Sequence, residues 1–256
     1  SIPWSKTSNG LIRDHLKQSQ EQVNLALFVF SEQQLVDQMA IAHQNGVAIK
    51  ALIDRSFAFR PYSEGLDMLG VALPQDHATS KACQTEPQNR PWPDPIKTIG
   101  TPKLNPGDLL HHKFGVIDQS VVVMGSHNWS DAANRLNDET VIAIAHPTVA
   151  AHYQQEFDRL YTNSRLGLPA DIDEQWQRFR QQCAVHASSV PEKRPLINLN
   201  TASLEELESL PRIGNKTAQA IIDARQTQTF SALEDLDQVP GIGPKTLEKL
   251  RDRVTW

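Results

Sequence analysis

Hydrophobic and polar positions alternate in two rhythms along the first two thirds of the chain. Val23 to Phe30 and Val47 to Asp54 are apolar runs of strand length. Between them, the segment from Ser31 to Gly46 carries apolar residues at helical spacing, with Ser at its start and Gly at its end. This predicts a βαβ unit. A helix over about 11–22 precedes it and another over 63–69 follows. Strands are expected at Lys113 to Asp118 and Val121 to Gly125, joined by a tight turn at Gln119 and Ser120, and again at Thr140 to Ala145. Thr148 to Tyr161 then reads as a helix. Seven of the sixteen prolines fall between Pro74 and Pro106, too many for a helix interior or a central strand, so that stretch is expected to be a long loop or insertion. The pattern predicts an α/β domain over residues 1–165. A helix near 171–183 and the linker-like ASSVPEKRP occupy 166–195.

The remaining residues, 196–256, hold an internal repeat. ASLEELESLPRIGNKTAQAII aligns with SALEDLDQVPGIGPKTLEKLR at an offset of 29 residues. Each copy reads as an acidic amphipathic helix, a Pro/Gly hairpin and a more basic helix, which predicts a small all-α domain.

Composition narrows the classes. The 256 residues carry 25 basic and 30 acidic side chains for a net charge of −5, and 39% are hydrophobic, enough for a packed core and against a wholly disordered chain. No apolar run reaches the ~18 residues of a membrane span. The acidity disfavours diffuse polyanion binding, so any nucleic-acid contact has to be local. No signal peptide is visible at Ser1, and since the chain opens on Ser rather than Met, that absence does not exclude export. Cys83 and Cys183 form no CxxC or Cys/His cluster, which argues against structural zinc and leaves a disulfide between them open.

The candidate chemistry lies in HHKFGVIDQSVVVMGSHNWS. Strand alternation sends His111 and Lys113 to one side and groups Ser126 with Asn128, while His112 and His127 point away as packing or surface residues. An imidazole nucleophile, a fixed cation, a hydroxyl and an amide converging from adjacent strands can cradle a phosphoryl group. His111, Lys113, Asp118, Gly125, Ser126 and Asn128 fill the pattern HxK, four residues, Asp, six residues, GSxN. That pattern resembles the signature of the phospholipase D superfamily, and the resemblance extends to the upstream βαβ unit and the LNDETVIAI strand. It implies a mixed β-sheet flanked by helices. It also implies that His111 attacks phosphorus to give a phosphohistidine, that Lys113, Ser126 and Asn128 hold the non-bridging oxygens, and that Asp118 and Gly125 are structural. Neither metal nor cofactor is required, because protonated His and Lys supply the positive charge.

The only other HxK, His15-Leu16-Lys17, lies on a predicted helix, has Gln22 where Asp belongs, and lacks a following GSxN. The chain therefore resembles the single-motif branch, for which the implied assembly is a homodimer with His111 of each subunit facing one substrate. In that branch an acid after GSxN orients the catalytic imidazole, a part that falls to Glu139. In the repeat, PRIGNK and PGIGPK resemble helix-hairpin-helix hairpins, with Arg212, Gly214, Lys216, Gly241, Gly243 and Lys245 as candidate DNA-binding residues. Arg212 stands where Gly is usual. The segment is similar to the DNA-binding tail of bacterial competence DNA receptors.

Together these resemblances imply a metal-independent, sequence-nonspecific DNA endonuclease acting on duplex and single-stranded DNA, without membrane insertion. Analogy with secreted single-motif nucleases favours export. The alternatives are a phospholipase or cardiolipin hydrolase, and a non-catalytic DNA-binding protein of competence type. The insertion, with Lys81, Arg90, Trp92, Lys97 and Lys103, either walls the cleft or covers the outside of the sheet.

Overall fold

The computed structural model describes residues 3–75, 83–187, 196–251 and 253–256, less the side chains of 184–187, 234, 244, 245 and 248. Contacts divide the chain into two compact units, Ser8–Ser188 and Ser189–Trp256, the second joined by Ser1–Thr7.

The larger unit opens with helix α1 (Ser8–Lys17), then strand β1 (Gln22–Leu27), the short strand β2 (Phe30–Ser31), helix α2 (Gln33–Gln44), strand β3 (Ala48–Ile53) and helix α3 (Glu64–Met68). After the proline-rich stretch come β4 (Ile99–Thr101), β5 (Lys113–Ile117), β6 (Val121–Gly125), β7 (Trp129–Ser130) and helix α4 (Asp131–Leu136). Strand β8 (Val141–Ala145), helix α5 (Pro147–Tyr161), β9 (Arg165–Leu166) and helix α6 (Ala170–Ala187) complete it. Seven strands form one mixed sheet in the order β8-β6-β5-β1-β3-β4-β9. The βαβ unit gives the parallel pair β1 and β3, and β5 joins β1 antiparallel, with Leu27 opposite Lys113. Strand β1 lies at the centre of the order and buries five of its six residues, the continuous apolar reading of a strand covered on both faces.

One face of the sheet packs on α5 through Ala26, Phe114, Val116, Val122, Ala150 and Phe157, all at most 2% exposed. Truncating a side chain such as Phe157 to Ala leaves a cavity worth roughly 3–5 kcal/mol. On the other strand of the central pair, Gly115 makes room for Trp129. A Cβ there would lie 2.8 Å from Leu25 Cδ2 and 3.0 Å from Trp129 Cη2.

Several expectations change in detail. The tight turn between β5 and β6 is centred on Asp118 and Gln119, with φ of 48° and 51°, not on Gln119 and Ser120. Two successive left-handed residues match the twist of the hairpin, and Asp tolerates that region better than most residues. The first turn of α2 is capped by Glu32, which accepts from Gln34 N, so Ser31 is left in β2. The stretch from Pro74 to Pro106 is not all loop, since its Ile99–Thr101 segment is a strand parallel to β3. Three residues carry no readable periodicity, and Gly100 is placed by tertiary closeness: a Cβ there would fall 1.9 Å from the Arg165 carbonyl oxygen of β9. The first half of the stretch covers helices. Trp92 is 5% exposed and stacks on His43 of α2, and Arg90 pairs with Asp37. Lys81 lies outside the described residues.

The smaller unit contains α7 (Leu204–Glu208), α8 (Asn215–Thr227), a 3₁₀ turn at Leu233–Gln238 and α9 (Pro244–Leu250). Strand β10 (Ile197–Asn198) pairs in parallel with β11 (Val254–Thr255), tying the two ends of the repeat together. Its core of Leu199, Leu207, Ile221, Leu236, Leu250 and Val254 is essentially inaccessible to solvent. Among the described residues no helix is long and apolar enough to cross a membrane.

Two features of the larger unit set its stability. A disulfide joins Cys83, in the first third of the proline-rich stretch, to Cys183 of α6, 100 residues away. Closing so long a loop in the unfolded chain is worth about 4–5 kcal/mol. Reduction, or Cys183→Ser, is expected to lower the unfolding free energy by about 3–5 kcal/mol in urea titrations with and without dithiothreitol.

The second feature is Asp67, fully buried under α2, whose Oδ2 accepts from Gln33 Nε2 and Arg90 N. Burial pushes its carboxyl up to about 6, and burial with the neighbouring Asp67, Asp37 and Glu32 charges also raises Glu64. The folded state thus holds a proton that the unfolded chain releases near pH 4. The stabilisation from Asp67 is complete below that pH and is lost as pH rises through about 6, by an amount on the order of 2–3 kcal/mol. Asp67→Asn is expected to flatten the fall in stability between pH 4.5 and 7.5 seen in denaturant titrations of the parent protein.

Candidate active site

The HxK and GSxN segments lie at the same edge of the sheet, at the start of β5 and just past the end of β6. The ladder between β1 and β5 runs on past the named strands through Phe28 N to His112 O, 2.8 Å. This fixes the rise of the chain from His111 to Lys113 against Phe28. The exposed His111 ring lies 4.6 Å from the Phe28 ring between centroids, and the Lys113 ammonium sits 5.0 Å over that same ring. Lys113 Nζ also donates to the His111 carbonyl oxygen at 3.0 Å. Burial lowers the Lys113 pKa, an effect that the Glu139 carboxylate opposes. His112 points to the α5 face, where it packs on Phe114 and its Nε2 meets Glu156 Oε1 at 3.0 Å.

Gly125 turns the chain from β6 into the second segment. A Cβ at this position would lie 1.8 Å from the Thr140 carbonyl oxygen, so only glycine lets β8 close on the turn. Ser126 N then donates to Thr140 O at 3.0 Å, and Thr140 N returns a bond to Ser126 Oγ at 3.1 Å. The Ser126 hydroxyl donates to Glu139 Oε2, while Asn137 Nδ2 donates to Glu139 Oε1 at 3.1 Å. These two bonds, Ser126 first, hold the Glu139 carboxyl below its usual range, with smaller contributions from His127 and Lys113. Asn128 is half-buried, and its side-chain oxygen has no hydrogen-bond partner among the described residues. That carboxamide is therefore uncommitted.

In this arrangement the Glu139 carboxylate is bonded to Ser126 and Asn137 and makes no hydrogen bond to His111. The Ser126 proton is likewise spent on Glu139 rather than free for a ligand. Asp118 stands away from these groups and accepts N–H bonds from Gln20, Glu21 and Gln22 at 2.8–2.9 Å.

Contacts that the motif does not announce complete the arrangement. Phe28 and, edge-on to it at 4.7 Å, Phe57 support the His111 ring. Their positions just past β1 and β3 are a signal only once the strand order is known. His127 is buried and bonds through Nε2 to Asn9 Oδ1 of α1 at 2.8 Å, and Asn9 Nδ2 reaches Glu32 and Ser130. Burial lowers the His127 pKa, an effect that the Glu139 carboxylate opposes. Nothing in the sequence marks Asn9. Among the described residues, no group of three or more His, Cys, Asp or Glu side chains is placed to hold a metal ion.

In the smaller unit the two hairpins are built alike. Arg212 has φ of 65° and Gly241, its counterpart 29 residues on, has φ of 94°. The hairpin therefore demands a left-handed residue in both copies, and an arginine there costs roughly 1–2 kcal/mol. Gly214 and Gly243 are the residues preceding α8 and α9. A Cβ at Gly241 would lie 3.1 Å from Thr217 Oγ1 in the first turn of α8, so the two hairpins are adjacent. Arg212 and Lys216 are exposed, whereas Arg225 is structural, donating to the Leu199 and Ala202 carbonyls. The Lys245 side chain lies outside the described set.

Comparison with known proteins fits this arrangement. The mitochondrial cardiolipin hydrolase of Xenopus laevis is 25% identical over 162 residues, which are 62% of this chain and 64% of that protein. The chain thus spans just under two thirds of that relative's length. A solved structure of Nuc, a phospholipase D family member from Salmonella typhimurium, aligns with a TM-score of 0.46 at 16% identity, covering 62% of this chain and 90% of that one. NucT from Helicobacter pylori aligns with a TM-score of 0.44 at 13% identity, over 63% of this chain and 91% of that one. A helix-hairpin-helix motif model matches residues 192–255. The family model described as "Cardiolipin synthase, PLD-like domain" matches residues 12–161, more than half of the chain, which therefore belongs to the phospholipase D-like family.

Proposed function

We propose that this chain is a metal-independent, sequence-nonspecific DNA endonuclease that works through a phosphohistidine at His111 in a homodimer. The observation that carries the reading is the union, in one chain, of a single complete HxK, Asp, GSxN set with two adjacent hairpins of helix-hairpin-helix type. In the reaction, an imidazole nitrogen of His111 attacks phosphorus. The bond to one ester oxygen breaks, and that oxygen takes a proton from His111 of the partner subunit. Water, deprotonated by the partner subunit's His111, then attacks phosphorus, the P–N bond breaks, and a terminal phosphate leaves. A ring already packed against Phe28 loses little freedom on attack.

Lys113 and the uncommitted Asn128 carboxamide receive the non-bridging oxygens. Ser126 reaches them only by releasing Glu139, so its resting part is to fix that carboxylate near Lys113. Arg212, Lys216 and the N–H groups at the hairpins hold the phosphate backbone of the substrate, with Gly214, Gly241 and Gly243 allowing the backbone to come close. The Cys83–Cys183 disulfide suits an oxidising compartment. A phospholipid diesterase is the second reading, favoured by the cardiolipin hydrolase named among the relatives.

Two measurements test the proposal. Purified protein with plasmid DNA in EDTA, beside cardiolipin vesicles, is expected to nick the plasmid and leave the lipid intact. His111→Ala should lose activity by about a thousandfold. Lipid turnover without nicking would select the second reading, and no turnover of either would leave a DNA-binding protein without catalysis.

Arg212→Gly separates strain from contact. It is expected to stabilise the smaller unit by about 1 kcal/mol while weakening DNA binding and reducing the salt slope of log K by about 1. Unchanged affinity would remove Arg212 from the interface.

A further inference from the structure

At the edge of the sheet where His111 emerges, a separate cavity of about 140 Å³ opens beyond the ends of β3 and β4. Three of its lining residues are cations: Arg55, just past β3, Lys103, just past β4, and Arg165 on β9. Each comes from a different segment, and none has an ion pair or side-chain hydrogen bond among the described residues. Elsewhere in the same unit Arg90, Arg135 and Arg159 are paired with carboxylates. A chain of net charge −5 has carboxylates to spare, yet leaves these three cations without one.

Two carboxylates also line the cavity. Asp54 is 1% exposed and is spent on backbone amides, its Oδ1 accepting from Ser56 N at 2.9 Å and its Oδ2 from Leu110 N at 2.8 Å. Asp108 is exposed. The Asp54 bond also ties the cavity wall to the segment of the HxK motif, because Leu110 immediately precedes His111. A second connection runs from the same loop through Phe57 and Phe28 to the His111 ring.

We infer that Arg55, Lys103 and Arg165 form a subsite for a further phosphate of the bound strand, set off from the phosphate at His111 by the two to four strand spacings that separate β3, β4 and β9 from β5. The inference rests on the nuclease reading and adds to it a reason for the second half of the proline-rich stretch. A polymeric substrate carries phosphates well beyond the scissile one, and a guanidinium fork suits such an anion. A substrate with a single phosphate leaves the cavity empty and gains nothing from it. Binding energy from this remote group would appear in KM for polymers.

The test compares the full chain with its Arg55→Gln/Lys103→Gln/Arg165→Gln variant, and with Lys103→Gln alone, on bis(p-nitrophenyl) phosphate, a short oligothymidylate and cardiolipin vesicles, all in EDTA. On oligothymidylate the triple variant is expected to raise KM by about tenfold or more, with a shallower dependence of log KM on log salt, and Lys103→Gln to give a smaller rise in the same direction. Turnover of bis(p-nitrophenyl) phosphate should stay within about twofold, which also certifies the fold. Equal KM on oligothymidylate, or equal loss on both soluble substrates, would overturn the subsite while leaving the nuclease reading standing. A parent protein that hydrolyses bis(p-nitrophenyl) phosphate but spares oligothymidylate would overturn the nuclease reading and the subsite with it. A defect confined to cardiolipin would overturn the assignment to a DNA strand.

Discussion

Three backbone N–H groups converge on one carboxylate, and the position of every reacting group follows from it. Asp118 sits at the turn between β5 and β6 and accepts from Gln20, Glu21 and Gln22, the residues that lead into β1. Charge-assisted bonds of this kind are stronger than those between neutral groups, and three on one acceptor leave the turn little freedom. They lock the β5–β6 hairpin onto the central strand in one register, Val23 to Ile117 through Leu27 to Lys113. A slip by one residue would send Lys113 to the α5 face and His112 into its place. The aspartate named in the motif therefore acts at the far end of the strand from the imidazole that it positions.

Around this anchor the protein distributes charge in two ways. Beneath α2, burial raises the carboxyls of Glu64 and Asp67 and Arg90 pairs with Asp37, and exposed arginines on α4 and α5 pair with acids one turn away. Cations near the strand ends are treated differently. Lys113 is held over an aromatic ring and against a carbonyl, with Glu139 near enough to favour its charge. Net acidity and local positive potential coexist because the pairing is selective, and the Phe28 ring, packed on Phe57, lies beneath the Lys113 cation.

Much of the framework was legible from periodicity. The βαβ unit, the β5–β6 hairpin, β8 and α5 appear within about three residues of their expected places, since each buries an apolar face. What escaped is short or tertiary. Strands β4 and β9 have three and two residues, and their place depends on a glycine that no local pattern explains. Helix α4 is six residues, announced only by Ser130 capping Ala133 N. The motif residues could be named from spacing, but not their bonds. That Ser126 serves Glu139 follows from the closing of β8 on the Gly125 turn, which a linear sequence does not carry. The need for a left-handed residue at Arg212 was visible in the repeat, because its twin is Gly241.

Trp4 has a consequence for how such a protein could be reassembled. It is 3% exposed, and its 3₁₀ turn touches the Leu233–Gln238 turn near the other end of the chain, so the first seven residues belong with the last sixty-eight. The polypeptide thus leaves one folded body, builds the larger body, and returns. A fusion that borrows only the carboxyl-terminal piece would lack the turn that lies against Leu233–Gln238, and a working graft has to carry both flanks, as an insertion rather than an appendage.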